Sequence, residues 1–280
     1  MCKRSIGSLL IGFSVGACGL SVPAIQEFPG DAVEGQKFVQ AIVTNVTCEV
    51  QNAVHQVYTD YEHTFLDNWG VQITLSLTIE EKSAVNPTVN WLPPSPPSAI
   101  FNLGAGGTLS AGATRIDKLN SYYLVSELRY RACDPRNRPG GAFLMQSDLK
   151  LKEWLYDVIS TSVTGTVPYE RNTPTGPFKQ NVVSHQVKFE VLSSGNVTPG
   201  WKLTRVSINP TGTFFATSRN RTHDLLVTFG PAEKALVETI VGGRKRMVVT
   251  AGPSTQAAFS HLSSEIGVAV SNGLKSALLP

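Results

Sequence analysis

Charge is scarce in this chain. Only 16% of its 280 residues are Asp, Glu, Lys or Arg, against about 25% in ordinary soluble domains. The low charge comes with abundant Ser, Thr, Val and Gly, a composition that favours β structure and an exported protein over a Lys/Glu-rich helical one. Hydrophobic residues reach 41%, enough to bury a sizeable core, which argues against wholesale disorder. The formal net charge is +3, but Lys3 and Arg4 supply much of it. Without the first 18 residues, 22 basic residues face 21 acidic ones. That balance leaves no electrostatic footprint for nucleic acid. Two basic clusters remain, Arg129/Arg131/Arg136/Arg138 around Cys133 and Arg244-Lys245-Arg246 after Gly242-Gly243. Both read as solvated loops.

Recognisable catalytic spacing is also missing. The five histidines are His55, His63, His185, His223 and His261. His55 and His63 lie near Asp60 and Glu62, but eight residues on a helix separate them by about 12 Å. No HExxH, CxxC or Cys/His zinc spacing occurs, so no metal is expected. His223-Asp224 precedes a strand, where neighbours point to opposite faces. There is no GxSxG elbow for a serine nucleophile. Gly104-Ala105-Gly106-Gly107 lacks the Lys-Ser/Thr of a phosphate loop and reads as a turn or bulge. Asn-x-Thr at Asn45, Asn196 and Asn220 reads as chance. Trp69, Trp91, Trp154 and Trp201 read mostly as core. No catalytic residue and no cofactor is expected.

The beginning of the chain is more telling. Residues 1–18 read MCKRSIGSLLIGFSVGAC. Lys3-Arg4 is a short basic region, Ile6–Ala17 is uncharged and mostly apolar, and small residues precede Cys18. Val15-Gly16-Ala17-Cys18 resembles the bacterial lipobox, with Val15 where Leu is usual. The resemblance implies cleavage before Cys18 and lipidation of its thiol, with residues 19–31 as a tether. With Gly19 rather than Asp next, it further implies sorting to the outer membrane, facing the periplasm. Two other readings stand. Val22-Pro23-Ala24 fits a simple cleavage site releasing a soluble periplasmic or secreted product. Ser5–Gln26 is charge-free and just long enough to span a membrane, though rich in Gly and Ser. The body of the chain resembles envelope lipoproteins of alphaproteobacteria, a resemblance that implies a location and no activity.

Cys2 would leave with the signal and Cys18 would be acylated. Cys48 and Cys133 then remain. In an oxidising compartment they pair as a disulfide or stay as separate buried thiols.

Further along, Phe38, Ile42, Val46, Val50, Val54, Val57 and Tyr61 form a helical stripe. Val71–Ile79 alternates strictly, apolar residues on one face and Gln72, Thr74, Ser76 and Thr78 on the other, which predicts a strand. Strands are also expected at Val89–Leu92, within Phe101–Arg115 and at Tyr122–Tyr130. A second helix, capped by Ser147, carries Leu151, Trp154, Leu155, Val158 and Ile159. Strands return around Val187–Val191, Trp201, Leu203–Ile208, Thr213–Thr217 and Leu225–Phe229. The order helix plus about four strands thus recurs, suggesting related halves at 32–130 and 145–230. Phe259, Leu262, Ile266, Val270 and Leu274 form the stripe of a C-terminal helix over 254–278, with Ser254 as its cap. Such a stripe is expected to pack on the helix's own domain.

These observations imply an α+β domain over 32–280, with antiparallel sheets packed by N-terminal, central and C-terminal helices. They favour a non-catalytic, envelope-anchored protein for binding, scaffolding or assembly. It would have a membrane attachment at Cys18 and an envelope protein partner. The alternatives are a periplasmic hydrolase with dispersed catalytic residues and a component of an oligomeric envelope complex.

Overall fold

A computed structural model describes residues 32–94, 101–130, 133, 148–169, 181–202, 205–210, 212–241 and 244–278. The signal, the tether, Cys18 and the Ser147 cap lie outside the described residues. The protein is α+β, with helices and two antiparallel sheets. By contacts it divides into two compact units, with the division falling inside the long strands. One unit holds 26–80, 114–193 and 219–280, and the other includes 81–113 and 194–218.

The larger unit begins with helix α1 (Ala32–Asp60). Its stripe works as the spacing predicts: Ile42, Val46, Val50, Val54 and Val57 are all buried. A short helical turn at Phe65–Asn68 follows, capped by Thr64 through a capping box with Asp67. Strand β1 (Trp69–Val85) then lays Val71, Ile73, Leu75 and Leu77 into the same core. Helix α3 (Leu151–Val163) adds Leu151, Leu155 and Ile159 and packs beside α1. It starts just after Lys150, whose backbone is left-handed and whose N–H donates to Asp148 Oδ1 at 2.9 Å. Trp69 and Trp154 belong to this core.

The large sheet runs in the order β4-β1-β8-β5, where β4 is Leu109–Leu124, β5 Val183–Val197 and β8 Phe215–Val241. The register runs antiparallel across it. Thr74 meets Asn120 while Gly112 lies near Glu81, and Ser184 meets Thr228 while Asn220 meets Glu190. Strand β9 (Arg244–Pro253) pairs with the far end of β8, from Ala232↔Pro253 to Val241↔Arg244. The Arg244-Lys245-Arg246 cluster therefore sits on a strand and not on a loop. Tyr122–Tyr130 is also not one strand. β4 ends at Leu124 and Val125–Leu128 forms helix α2. Val125 and Leu128 are one helical turn apart and both buried, a spacing of three that a strand would split between faces.

The smaller unit holds a second sheet in the order β3-β2-β7-β6, where β2 is Thr88–Trp91, β3 Leu103–Gly106, β6 Trp201–Lys202 and β7 Val206–Ile208. All its pairings are antiparallel. Its two tryptophans, Trp91 and Trp201, are exposed and not core, because these strands are short and, among the described residues, no helix of this unit covers them. Asn209 holds the turn after β7. It has positive φ, a conformation Asn tolerates, and its amide oxygen accepts from the Thr88 backbone N–H at 2.9 Å.

Helix α4 (Thr255–Leu278) closes the chain in the larger unit. Ser254 caps it as expected, accepting from the Ala257 N–H at 3.2 Å. Gly230 is required beneath it, because a Cβ there would fall 2.6 Å from the Ala257 Cβ.

Candidate functional site

Helix α4 lies on the polar face of the large sheet, opposite in chemistry to the face that meets α1 and α3. That face is built from Thr74, Ser76 and Thr78 of β1, which alternate with the buried Ile73, Leu75, Leu77 and Ile79. A sheet surface of hydroxyls needs hydrogen-bonding partners once covered. The side of α4 that meets it supplies them. Ser254, Ala257 and His261 are buried, and Glu265, Val268 and Asn272 follow at helical spacing.

His261 is the centre of this contact. Thr74 Oγ1 donates to Asn120 Oδ1 at 2.9 Å. Its proton is thereby committed, so it accepts from His261 Nε2–H at 2.8 Å. A neutral ring protonated on Nε2 accepts at Nδ1. Nδ1 takes the Thr228 hydroxyl at 2.8 Å. Ser184 in turn donates to Thr228 Oγ1 at 3.1 Å. The result is one directional row, Ser184 to Thr228 to His261 to Thr74 to Asn120. It crosses β5, β8, β1 and β4 in turn. Burial lowers the His261 pKa from its ordinary 6.5, with Glu265 opposing the shift. The ring therefore favours the neutral form that the row requires.

A second clasp lies about three turns further along α4. Asn272 donates to Asp224 Oδ2 at 2.8 Å and accepts from the Lys188 ammonium. Between the two clasps is a cavity of about 190 Å³, lined by Thr78, Ile116, Lys118, Asp224, Leu226 and Glu265 among others. Asp224 Oδ1 and Glu265 Oε1 are buried without a hydrogen bond among the described residues. The volume is below the range of about 300–1,000 Å³ typical of small-molecule sites.

The outer side of α4 is the reverse of what its stripe predicts. Phe259, Leu262, Ile266, Val270 and Leu274 are between 51% and 68% exposed. The helix docks, but with these five side chains turned outward. The expectation that the stripe packs on its own domain is corrected. The sheet face beneath α4 is polar, so the polar side of the helix is the better match.

The other histidines are scattered. His55 Nδ1 bonds the Arg129 carbonyl at 3.0 Å, and His63 lies 3.3 Å from Asp67. His185 bonds the Leu149 carbonyl at 3.1 Å and stacks near Trp154. His223 is buried on β8 beside Asp224 in sequence. Among the described residues no three His, Cys, Asp or Glu side chains form a metal-binding group. Cys48 and Cys133 are joined, with Cα atoms 5.1 Å apart.

The fold and this contact define an α+β protein with one helix held on a sheet by polar side chains and an apolar stripe left outward. No family model matches the chain, and no curated protein matches it in sequence.

Proposed function

We propose that this is a non-catalytic component of a cell-envelope assembly, anchored through Cys18 and working by contact with a protein partner. The observation that carries the reading is the outward stripe of α4. Five large apolar side chains on one helix face form the kind of contiguous patch that marks an interaction surface. Burying them from about half exposure is worth on the order of 5 kcal/mol. Among Thr255–Leu278 only Glu265 and Lys275 are Asp, Glu, Lys or Arg, whereas helices that lie on membranes are rich in Lys and Arg. A protein partner fits the patch better than a lipid surface. The cavity beneath α4 includes Asp224 but neither His223 nor His185.

The test has two arms. Metabolic palmitate labelling is expected to mark the wild-type chain and not Cys18→Ala. Label in the variant, or none in the wild type, removes the anchor. Gradient sedimentation of the detergent-extracted protein is expected to show a species larger than a monomer. A strictly monomeric species removes the assembly role.

A further inference from the structure

Resting on that assembly reading, we infer that one partner is a second copy of this chain, with the open edge of β5 pairing antiparallel to the open edge of β4 in the next copy.

The strand order carries the inference. In chain order, α1 is followed by β1, β2, β3 and β4, and α3 by β5, β6, β7 and β8. Labelling the strands of each set a to d, the large sheet reads d-a-d-a and the small sheet reads c-b-c-b. Two like sets related by a twofold would give d-a-a-d. The observed order is instead a head-to-tail repetition, and its internal seam joins an a strand, β1, to a d strand, β8. Among the described strands, those left at the two edges of the large sheet are again one of each: β5 is an a strand and β4 a d strand. They run in the directions of β1 and β8, so the pairing already made within the chain is repeatable between chains.

The His261 row gives the same polarity at atomic detail. Its ends are Ser184 on β5 and Asn120 on β4, both exposed at the open edges. Ser184 spends its proton on Thr228 and keeps lone pairs to accept. Asn120 accepts through Oδ1 and keeps its amide N–H groups to donate. Head-to-tail pairing places a donor end against an acceptor end, so the row continues from one copy to the next. Pairing like edges would place two donor ends or two acceptor ends together. Each edge strand is long, 16 residues for β4 and 15 for β5, and exposes Ile116 and Leu119 or Leu192 and Val197. Uncovered strands of this length template pairing with another chain. A head-to-tail contact of this kind closes as a ring or continues as a filament.

Thiol cross-linking tests it. With Ser184 opposite Asn120 of the next copy, Gln186 lies opposite Lys118, and all four are exposed. The full-length chain carrying both Lys118→Cys and Gln186→Cys, treated with a short bismaleimide, is expected to give a ladder of dimers, trimers and higher species above the parent chain's background. Either single variant is expected to give no more than that background. Lys118→Cys with Leu192→Cys, displaced by about 20 Å along the strand, is expected to give none. Absence of the ladder in the Lys118/Gln186 pair, or dimers from a single variant as strong as from the pair, overturns head-to-tail pairing. Loss of the ladder with sedimentation still above a monomer would remove the edge pairing and leave the assembly role standing. Monomeric sedimentation would remove both.

Discussion

Replacing Cys133 with Ala is expected to cost about 4 kcal/mol of stability under oxidising conditions, from the entropy lost when a loop of 85 residues is no longer closed. The bond ties α1 to the chain just beyond α2, beside the Arg129–His55 and Cys133–Asn52 hydrogen bonds and the Arg129 guanidinium over the Tyr58 ring. Chemical denaturation of the wild type, Cys133→Ala and Cys48→Ala/Cys133→Ala measures it. The single and double variants are expected to fall together, because removing one partner already opens the loop. Reduction should bring the wild type close to them. A loss below about 1 kcal/mol in both variants would show that the two thiols are not paired in the folded protein.

The second large effect is at His261. His261→Leu leaves the Thr74 and Thr228 hydroxyls beneath α4 without their shared partner. Each unsatisfied buried group costs about 1–3 kcal/mol, so a loss of about 3 kcal/mol is expected, concentrated on the docking of α4. Hydrogen exchange should show α4 amides losing protection while α1 and α3 keep theirs, since these pack on the opposite face of the sheet. Uniform loss of protection would place His261 in the global core instead. A pH dependence follows with a definite sign. The folded-state pKa is lowered by burial from 6.5, so below pH 6.5 the unfolded chain takes up a proton that the folded chain resists. Stability contributed by the neutral ring is present above pH 6.5. It falls as pH drops toward the lowered folded value, by at most about 1.4 kcal/mol per pH unit. His261→Leu should abolish that slope.

Much of this arrangement was readable before the structure, and the unread part has a physical reason. The alternation of Val71–Ile79 shows one apolar and one hydroxyl-bearing face, and both faces formed. Periodicity reports the character of a face, not what covers it. Nothing in Thr74, Ser76 and Thr78 alone says that they lie under a helix. The stripe of α4 was equally legible, but its direction was decided by the chemistry of the opposing surface. The row from Ser184 to Asn120 was invisible because its members lie 33 to 187 positions from His261, and only strand register brings them into line. Val125–Leu128 was misread as strand because a single helical turn is too short for its period to show. Trp91 and Trp201 were expected among core residues by their size, yet among the described residues the small sheet offers them no covering layer.

The outward stripe of α4 is the feature on which the function rests, and it can be tested without knowing the partner. Leu262, Ile266 and Val270 are exposed and are not among the hydrogen-bonding members of the sheet-facing clasps, so Leu262→Ser/Ile266→Ser/Val270→Ser should keep the wild-type circular dichroism spectrum. Sedimentation of this variant beside the wild type, after identical detergent extraction, is the decisive measurement. A smaller or less abundant large species with the fold retained is the expected result. A large species unchanged in size and amount would contradict an assembly role for this helix.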